Sequence, residues 1–363
     1  MQPLPRLTEV TQPTPARRLR RLAAPLLAAH AAALLGGCSA PEVRPQAEPL
    51  SARSDAGAVT MYSGDELMAR VRVGFGERVA LSRLRASNGV EVLRGFPLEP
   101  RVAESVDHPE QTGLWWAHRG MNDDDLWYGE GAGVAREHVL RIESDTEASL
   151  KAQVEWIGGA GVRICSEQRV LRFRVVDDLH VVDVDHSITA TPEGLVLEDA
   201  REGFLALRLA DGFRAAAGGG AMGSTGARGE DLWGARARWV AATSAAADGR
   251  RATVCVLEDP RNPGHPTRWQ VRPYGLLSAN PFATGAFTED PDDDRPAVID
   301  SYGSLRLRYR IVVAPGALSF AEVDALWADL AAEADAPRRP PRARTRPPSP
   351  RPRPPPAAGR GGR

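Results

Sequence analysis

The sequence has little of what marks a disulfide-stapled, zinc-binding or membrane-spanning protein. It contains three cysteines in 363 residues, and no Cys-x-x-Cys pair or Cys/His spacing typical of a zinc site. After residue 38, no apolar run approaches the roughly 20 residues with which a helix crosses a bilayer. Lysine is nearly absent, since Lys151 is the only one. Arginine therefore supplies almost every positive charge, a bias to which we attach no function.

Charge is unevenly distributed along the chain. The whole sequence carries a net charge of −1, of which residues 1–37 contribute +4 and residues 337–363 contribute +9, so that residues 38–336 carry −14. Proteins that bind nucleic acid do so through basic patches. The acidic body of the chain therefore argues against a nucleic-acid partner.

Residues 1–37 have the order of a bacterial signal peptide. Four arginines between Arg17 and Arg21 precede a short alanine-rich apolar stretch, "LAAPLLAAHAAALL". It runs into "LGGC", which ends at Cys38 and resembles the lipobox whose cysteine is lipidated. We expect a lipid anchor on Cys38 and a place in the bacterial cell envelope, with Ser39 favouring the outer membrane. A plain secretory signal, or a cytoplasmic protein with a misassigned start, is the alternative.

Composition divides the rest of the chain into three parts. Residues 38–58 are rich in proline, alanine and charge, which predicts a flexible tether. Residues 59–336 predict a folded domain. Residues 337–363 hold ten prolines and nine arginines, a composition that cannot bury a core. We expect a disordered basic tail that is either simply solvated or in contact with anionic material of the envelope.

Alternation of apolar and polar residues predicts a mostly antiparallel β protein. In "SLRLRYRIVV", apolar residues from Leu305 to Val313 alternate with arginines, and "LKAQVEW", "LRFRV" and "FLALRLA" repeat the pattern. The one convincing helix, "SFAEVDALWADLAAEA", opens with Ser319 and Glu322 as a capping box. We predict an all-β fold, a large antiparallel β-sandwich with one C-terminal helix.

Two cysteines, Cys165 and Cys255, lie in the β-like runs "VRICSEQ" and "ATVCVLED". They could pair in an oxidising periplasm. Nothing in their spacing requires a bridge, so we expect two buried thiols that pack as small hydrophobic groups.

Residues 108–127, "HPEQTGLWWAHRGMNDDDLW", combine histidine, tryptophan and aspartate more densely than any other stretch. Turn sequences bracket "LWWA", which predicts His118 and Asn122 at the rim of a sheet with Trp116 and Trp127 nearby. A sugar stacks on aromatic rings and bonds to carboxylates and amides, so this mixture indicates a carbohydrate site. The alternative is that at least two of the tryptophans pack in the core.

A second candidate region is the turn-rich segment 258–282. It contains Asn262, Arg272, Tyr274 and Asn280, which form either part of a ligand site or the braces of a rigid loop. Two further candidates precede it. Glu202 and Arg236 either contact a ligand or form a structural ion pair.

Five stretches taken in order, "DHPEQTGLWWAHRGMNDDDLW", "REGFLALRLA", "WGARARWV", "DPRNPGHPTRWQVRPYGLLSANPF" and "LRYRIVV", resemble the PmoA-like family over roughly residues 60–335. The resemblance implies a supersandwich similar to that of galactose mutarotase, and a role in carbohydrate use. Carried over by position, it implies a site made of His108, His118, Asn122, Trp127, Glu202, Trp233, Arg236, Asn262, Trp269, Arg272, Tyr274 and Asn280.

Three functions remain open from the sequence. In the first, a carbohydrate-active enzyme uses Glu202 and His118 as its acid–base pair. In the second, the same pocket binds a glycan without turnover, and in the third the lipoprotein is structural and its tail matters most. No pattern identifies a cofactor, and no metal site is expected. The first two functions require that the loops bearing His118 and Tyr274 line one pocket.

Overall fold

The computed structural model describes residues 48–55, 57–245 and 248–335. The predicted signal segment with Cys38 and the basic tail 337–363 lie outside the described residues. In chain order the strands are β1 (Leu50–Ser54), β2 (Ala58–Ser63), β3 (Glu66–Arg72), β4 (Ala80–Leu84), β5 (Leu114–Trp116), β6 (Arg119–Met121), β7 (Asp124–Asp125), β8 (Ala132–Ser144), β9 (Glu147–Ile157), β10 (Arg163–Val176), β11 (Leu179–Ala190), β12 (Leu195–Leu197), β13 (Leu205–Arg208), β14 (Gly220–Gly223), β15 (Trp239–Thr243), β16 (Ala252–Glu258), β17 (Arg268–Arg272), β18 (Leu276–Asn280), β19 (Ala297–Ile299) and β20 (Ser304–Pro315). The helices are α1 (Gly285–Thr288) and α2 (Phe320–Asp335).

Two antiparallel eight-stranded sheets form the body of the fold. The first has the order β1-β2-β3-β4-β5-β13-β18-β17, and the second has the order β14-β15-β16-β20-β11-β10-β9-β8. One hydrophobic core joins them, with Val59 and Leu207 from the first sheet and Phe173 and Ile311 from the second. The remaining strands form a small third sheet with the order β19-β12-β6-β7. The predicted large antiparallel β-sandwich with a C-terminal helix is confirmed.

The folded domain begins earlier than composition indicates. β1 pairs with β2 over its whole length, from Leu50 opposite Ser63 to Ser54 opposite Val59. Residues 50–54 lie within the segment 38–58 predicted as a tether. "LSARS" is too short and too polar to be recognised as a strand without its partner, which explains the difference.

The C-terminal helix α2 is capped and packed as its sequence predicts. The Glu322 carboxylate accepts hydrogen bonds from the backbone N–H and the hydroxyl of Ser319, at 2.7 and 2.6 Å. Val323 and Leu330 pack on the outer face of the second sheet, where they cover Cys255. Within the described residues, no helix is long and apolar enough to span a membrane.

Both described cysteines are free and buried. Cys165 belongs to the core between the sheets, whereas Cys255 lies under α2 on the outer face of the second sheet. The expectation of two unpaired thiols is confirmed, because opposite faces of one sheet hold them apart.

A charged network is buried between the sheets. The Glu167 carboxylate accepts hydrogen bonds from Arg169 Nε and Nη2 (both 2.7 Å), His186 Nδ1 (2.5 Å) and Trp156 Nε1 (2.8 Å). Burial alone would raise the pKa of Glu167, but the charges and hydrogen bonds of Arg169 and His186 hold that pKa well below its usual range. The Arg169 guanidinium lies 4.0 Å from the centre of the Trp116 ring. Trp116, predicted to bind a ligand, is therefore a core residue.

We expect Glu167→Gln to lower the free energy of unfolding by about 3–5 kcal/mol, because it leaves the Arg169 charge buried without its partner. Urea denaturation followed by circular dichroism measures this. The matched control is Glu155→Gln, which removes the partly exposed ion pairs of Glu155 with Arg136 and Arg163 and should cost no more than about 1 kcal/mol. Equal losses in the two variants would contradict a stabilising role of the buried network.

Candidate functional site

Polar and aromatic side chains gather on the outer face of the first sheet, near the ends of β6 and β13. This group, which we call the Glu202 site, consists of His108, Glu110, Arg119, Tyr128, Glu202 and Tyr274. The elements are adjacent because the β5–β13 pairing continues beyond the strands. The N–H of Ala117 donates to the carbonyl of Phe204, and the N–H of Arg119 donates to the carbonyl of Glu202, at 3.1 and 2.9 Å.

An aromatic pair forms one side of the Glu202 site. The His108 and Tyr274 rings stack with their centres 5.0 Å apart and their planes 17° from parallel. His108 Nδ1 lies 3.1 Å from the Glu110 carboxylate, and the His108 side chain is 41% exposed. An accessible imidazole therefore stands beside a carboxylate at the surface.

Arg119 and Glu202 form the other side. An Arg119 Nη1 to Glu202 Oε2 distance of 3.7 Å, with 56% and 13% of the two side chains exposed, leaves the carboxylate reachable but sheltered. Tyr128 lies beside Arg119, with its ring centre 5.9 Å from the guanidinium. Partial burial, followed by the charges of Glu202 and Glu110, raises the pKa of Tyr128. Its phenol is therefore a neutral hydrogen-bond donor at neutral pH.

Two buried arginines hold the aromatic pair in place. Arg208 donates to the Asp107 carboxylate at 2.6 Å and to Gln111 Oε1 at 2.8 Å, and its guanidinium lies 4.5 Å from the Tyr274 ring centre. Arg94 donates to the same carboxylate and to the carbonyls of His108 and Gln111. The backbone at His108 is thus fixed by hydrogen bonds to charged groups, which are among the strong ones in proteins.

Residues 198–204, which we call the Glu202 loop, are fixed from below. His118 Nε2 donates to the carbonyl of Glu198 at 2.8 Å. Asn280 Nδ2 donates to the carbonyl of Ala200 at 2.7 Å and to that of Arg201 at 3.2 Å. A Cβ on Gly203 would come within 2.2 Å of His118 Nδ1, so only glycine fits against the imidazole. The loop that carries Glu202 is therefore rigid at its base.

His118 and Asn280, which the sequence predicts as site residues, are buried. Both have no accessible surface. Burial lowers the pKa of His118 to about 4, so its imidazole is neutral at physiological pH and cannot serve as the exposed acid–base partner of Glu202. Their role is to position the Glu202 loop.

Other predicted site residues are also structural. Trp127 is 1% exposed and packs against Trp115. Asn122 accepts from the N–H of Val196 at 2.7 Å, and Asn262 is bonded to both the N–H and the carbonyl of Arg308, each at 2.8 Å. Side-chain amides of this kind stand in for backbone partners where strands end.

Two arginines that the sequence predicts as ligand-binding residues lie outside the Glu202 site. Arg236 is exposed and donates to the carbonyls of Gly264 and Pro266. Arg272 stacks on Trp233 with its guanidinium 3.7 Å from the ring centre. His118 is sealed in the interior and Tyr274 lies at the opposite end of β18 from Asn280, so these three side chains do not line one pocket as predicted. The segment that bears His118 does approach Tyr274, through its neighbour Tyr128. His108, Glu202 and Tyr274 do share a site.

Arg119, Tyr128 and Glu110 belong to the site but were not chosen from the sequence. Arg119 and Glu110 lie within the stretch 108–127 that was singled out, and Tyr128 follows it directly. A cavity of about 250 Å³ adjoins Arg119 and Glu202, and its lining also includes Glu198, Asp199, Ala200, Arg201 and Ala286. Within the described part of the chain, no group of three histidine, cysteine or acidic side chains could hold a metal ion.

A family model matches residues 58–328, which is most of the chain. The protein belongs to DUF6807, a family of unknown function. This corrects the resemblance to the PmoA-like family, since the matching model is that of DUF6807 and no finding supports the other family. The DUF6807 match covers every residue of the Glu202 site.

The fold is similar to that of a solved structure from Klebsiella pneumoniae subsp. pneumoniae MGH 78578, assigned as an aldose 1-epimerase. The two are 10% identical over 78% of this chain and 83% of the other, with a TM-score of 0.33. At that score the likeness carries no argument about the fold or the site. No curated protein is significantly similar in sequence.

We expect stability to fall between pH 6.5 and about 4 because of His118. Its pKa drops from 6.5 to about 4 on folding, so in that window the unfolded chain binds more protons. The contribution of His118 to the free energy of unfolding is fully present above pH 6.5. It is lost as the pH falls to about 4, by about 3 kcal/mol in all. Urea denaturation at several pH values should show a smaller decrease in His118→Gln, whose amide can still donate to Glu198. If the free energy of unfolding depends on pH in the same way in the wild-type protein and in His118→Gln, then His118 is not the cause of the loss.

Proposed function

We propose that this DUF6807 member is a lipid-anchored protein of the bacterial cell envelope that binds a carbohydrate at the Glu202 site. The observation that carries the proposal is the stacked His108–Tyr274 pair beside the Glu110 carboxylate at an accessible surface. The Arg119–Glu202 pair lies within electrostatic reach of Tyr128, as do Glu110 and Tyr274. The export signal and lipobox-like sequence ending at Cys38 support the anchor.

The chemistry of the site suits a neutral sugar. Each sugar hydroxyl both donates and accepts a hydrogen bond, so its partners must include acceptor-only and donor-only groups. Glu202 and Glu110 supply acceptors, Arg119 supplies donors, and the neutral phenol of Tyr128 can do either. The aromatic pair offers an apolar surface for the C–H face of the ring.

The same geometry supports a second candidate, catalysis on the bound sugar. Glu202 is sheltered, with 13% of its side chain exposed, and it lies near a phenol whose pKa is raised. A carboxylate and a neutral phenol can serve as base and acid in a proton transfer. His108, at the surface beside Glu110, can replace the phenol as the second group.

We expect Glu202→Gln to weaken binding of the best glycan by about tenfold or more, because a hydrogen bond to a charged group contributes about 1.5–3 kcal/mol. A glycan array identifies the ligand, and titration calorimetry measures its Kd. Glu193→Gln, which neutralises an exposed glutamate outside the site, should leave Kd unchanged. Either a blank array or equal affinity of the two variants would reject the Glu202 site as a sugar site.

Catalysis is distinguished from binding by the products formed from that glycan. If the wild-type protein converts it, Glu202→Gln should reduce kcat by about 10²–10⁴-fold, since acid–base groups act mainly on rate. If the glycan is still intact after prolonged incubation with the wild-type protein, catalysis is rejected and only the binding function remains.

Lipidation is tested with Cys38→Ala. We expect metabolic labelling with an alkyne fatty acid to mark the wild-type protein in a bacterial host, and the variant to lose both the label and its membrane fractionation. Two acyl chains give a stable anchor, so the change should be complete. An unlabelled wild-type protein would contradict the proposed anchor.

A further inference from the structure

A separate cavity lies between the two sheets at the edge formed by β14 and β17. It has a volume of about 190 Å³. Most of its lining is apolar and comes from both sheets, with Leu209, Phe213, Ala221, Ala242, Val271 and Leu277 as the main contributors. The Glu202 site lies instead on the outer face of the first sheet.

This cavity is larger than packing defects normally are. Protein interiors contain few voids larger than a water molecule, and an apolar lining gives water no partners. Small residues keep the space open, among them Gly219, Gly220 and Ala242. Since a cavity of about 150 Å³ takes up benzene, this one can hold a six-membered ring or a short alkyl chain.

Two opposite charges stand at the mouth of the cavity. Arg272 and Glu230 line both the cavity and an adjoining surface depression of about 330 Å³ that includes Trp233. The Arg272 guanidinium is held flat on the Trp233 ring, 3.7 Å from its centre. Neither Arg272 nor Glu230 makes a side-chain hydrogen bond or ion pair with another described residue. The mouth thus offers a donor-only group and an acceptor-only group, with no net charge.

The geometry points to a binding site for a small uncharged amphiphile. An aromatic ring or short alkyl chain occupies the apolar cavity, and a hydroxyl or amide head group lies at the mouth. The head group accepts from Arg272 and donates to Glu230. A carboxylate would meet the attraction of Arg272 and the repulsion of Glu230, and an ammonium the reverse, so neither ion gains from the pair as a whole. An uncharged head group can bond to both charges without repulsion, and the pair therefore favours it. The inference is independent of the carbohydrate proposal, because it uses other residues.

Three ligands with one ring and different head groups test the inference. We expect 2-phenylethanol to bind to the full-length protein about tenfold more tightly than phenylacetate or phenethylamine. Ligand-observed NMR or calorimetry gives the Kd values. Tighter binding of either ion, or no binding of the alcohol at millimolar concentration, would overturn the proposed specificity.

Variants that fill the cavity test whether 2-phenylethanol binds inside it. Ala242→Leu fills the cavity from the second sheet and Ala221→Leu fills it from a half-buried position on β14, and each should weaken binding of 2-phenylethanol at least tenfold. Ala221→Leu keeps the test valid if the buried substitution impairs folding. Unchanged affinity in the folded filling variants would place the ligand elsewhere and overturn the inference.

Charge variants test the mouth. Arg272→Gln should shift the preference toward phenethylamine, and Glu230→Gln should shift it toward phenylacetate, each by about tenfold. Arg141→Gln, which removes an exposed charge on β8, should change none of the three affinities. The same order of affinities in all variants would show that Arg272 and Glu230 do not contact the head group.

Discussion

The buried ion network of Glu167, Arg169 and His186 is the constraint on which the arrangement of the two sheets depends. Its members lie on β10 and β11 of the second sheet. Arg169 also reaches the first sheet, where it donates to the carbonyl of Val79 and covers the ring of Trp116. The partners of the Glu167 carboxylate all lie within the second sheet. The contacts of Arg169 with Val79 and Trp116 therefore join the charged network to the first sheet, in addition to the apolar contacts of the core.

The consequence for function follows along β5. Trp116 faces the network, while its neighbour Trp115 faces the outer side and packs with Trp127. The next residues of the chain continue the pairing with residues 202–204, which places Arg119 beside Glu202. A core interaction thus determines the geometry of a surface site. Such coupling favours a preorganised ligand site, whose groups need little ordering when a ligand binds.

Much of the fold could be predicted from the sequence, because period-2 alternation and one capped helix are local signals. The site could be predicted only in part. His118 and Asn280 were predicted as site residues, but the partners that show their role, Glu198 and Ala200, lie about 80 positions away in the chain. A polar side chain beside a turn has the same sequence signature whether it braces a loop or contacts a ligand. Only the distant partner distinguishes the two roles.

Arg272 and Tyr274 show the same limit at closer range. They are two residues apart, and the turn between β17 and β18 sends them to different places. Gly275, with a positive φ of 96°, closes this turn through a hydrogen bond from its N–H to the carbonyl of Arg272. Tyr274 then stacks on His108 over one side of the sheet, while Arg272 stacks on Trp233 at the cavity mouth. Residues that appear as one cluster in the sequence therefore serve two surfaces. The chemistry of each surface follows from the residues around it. Carboxylates surround the phenols of the first surface, and the second has an apolar cavity behind one positive and one negative side chain.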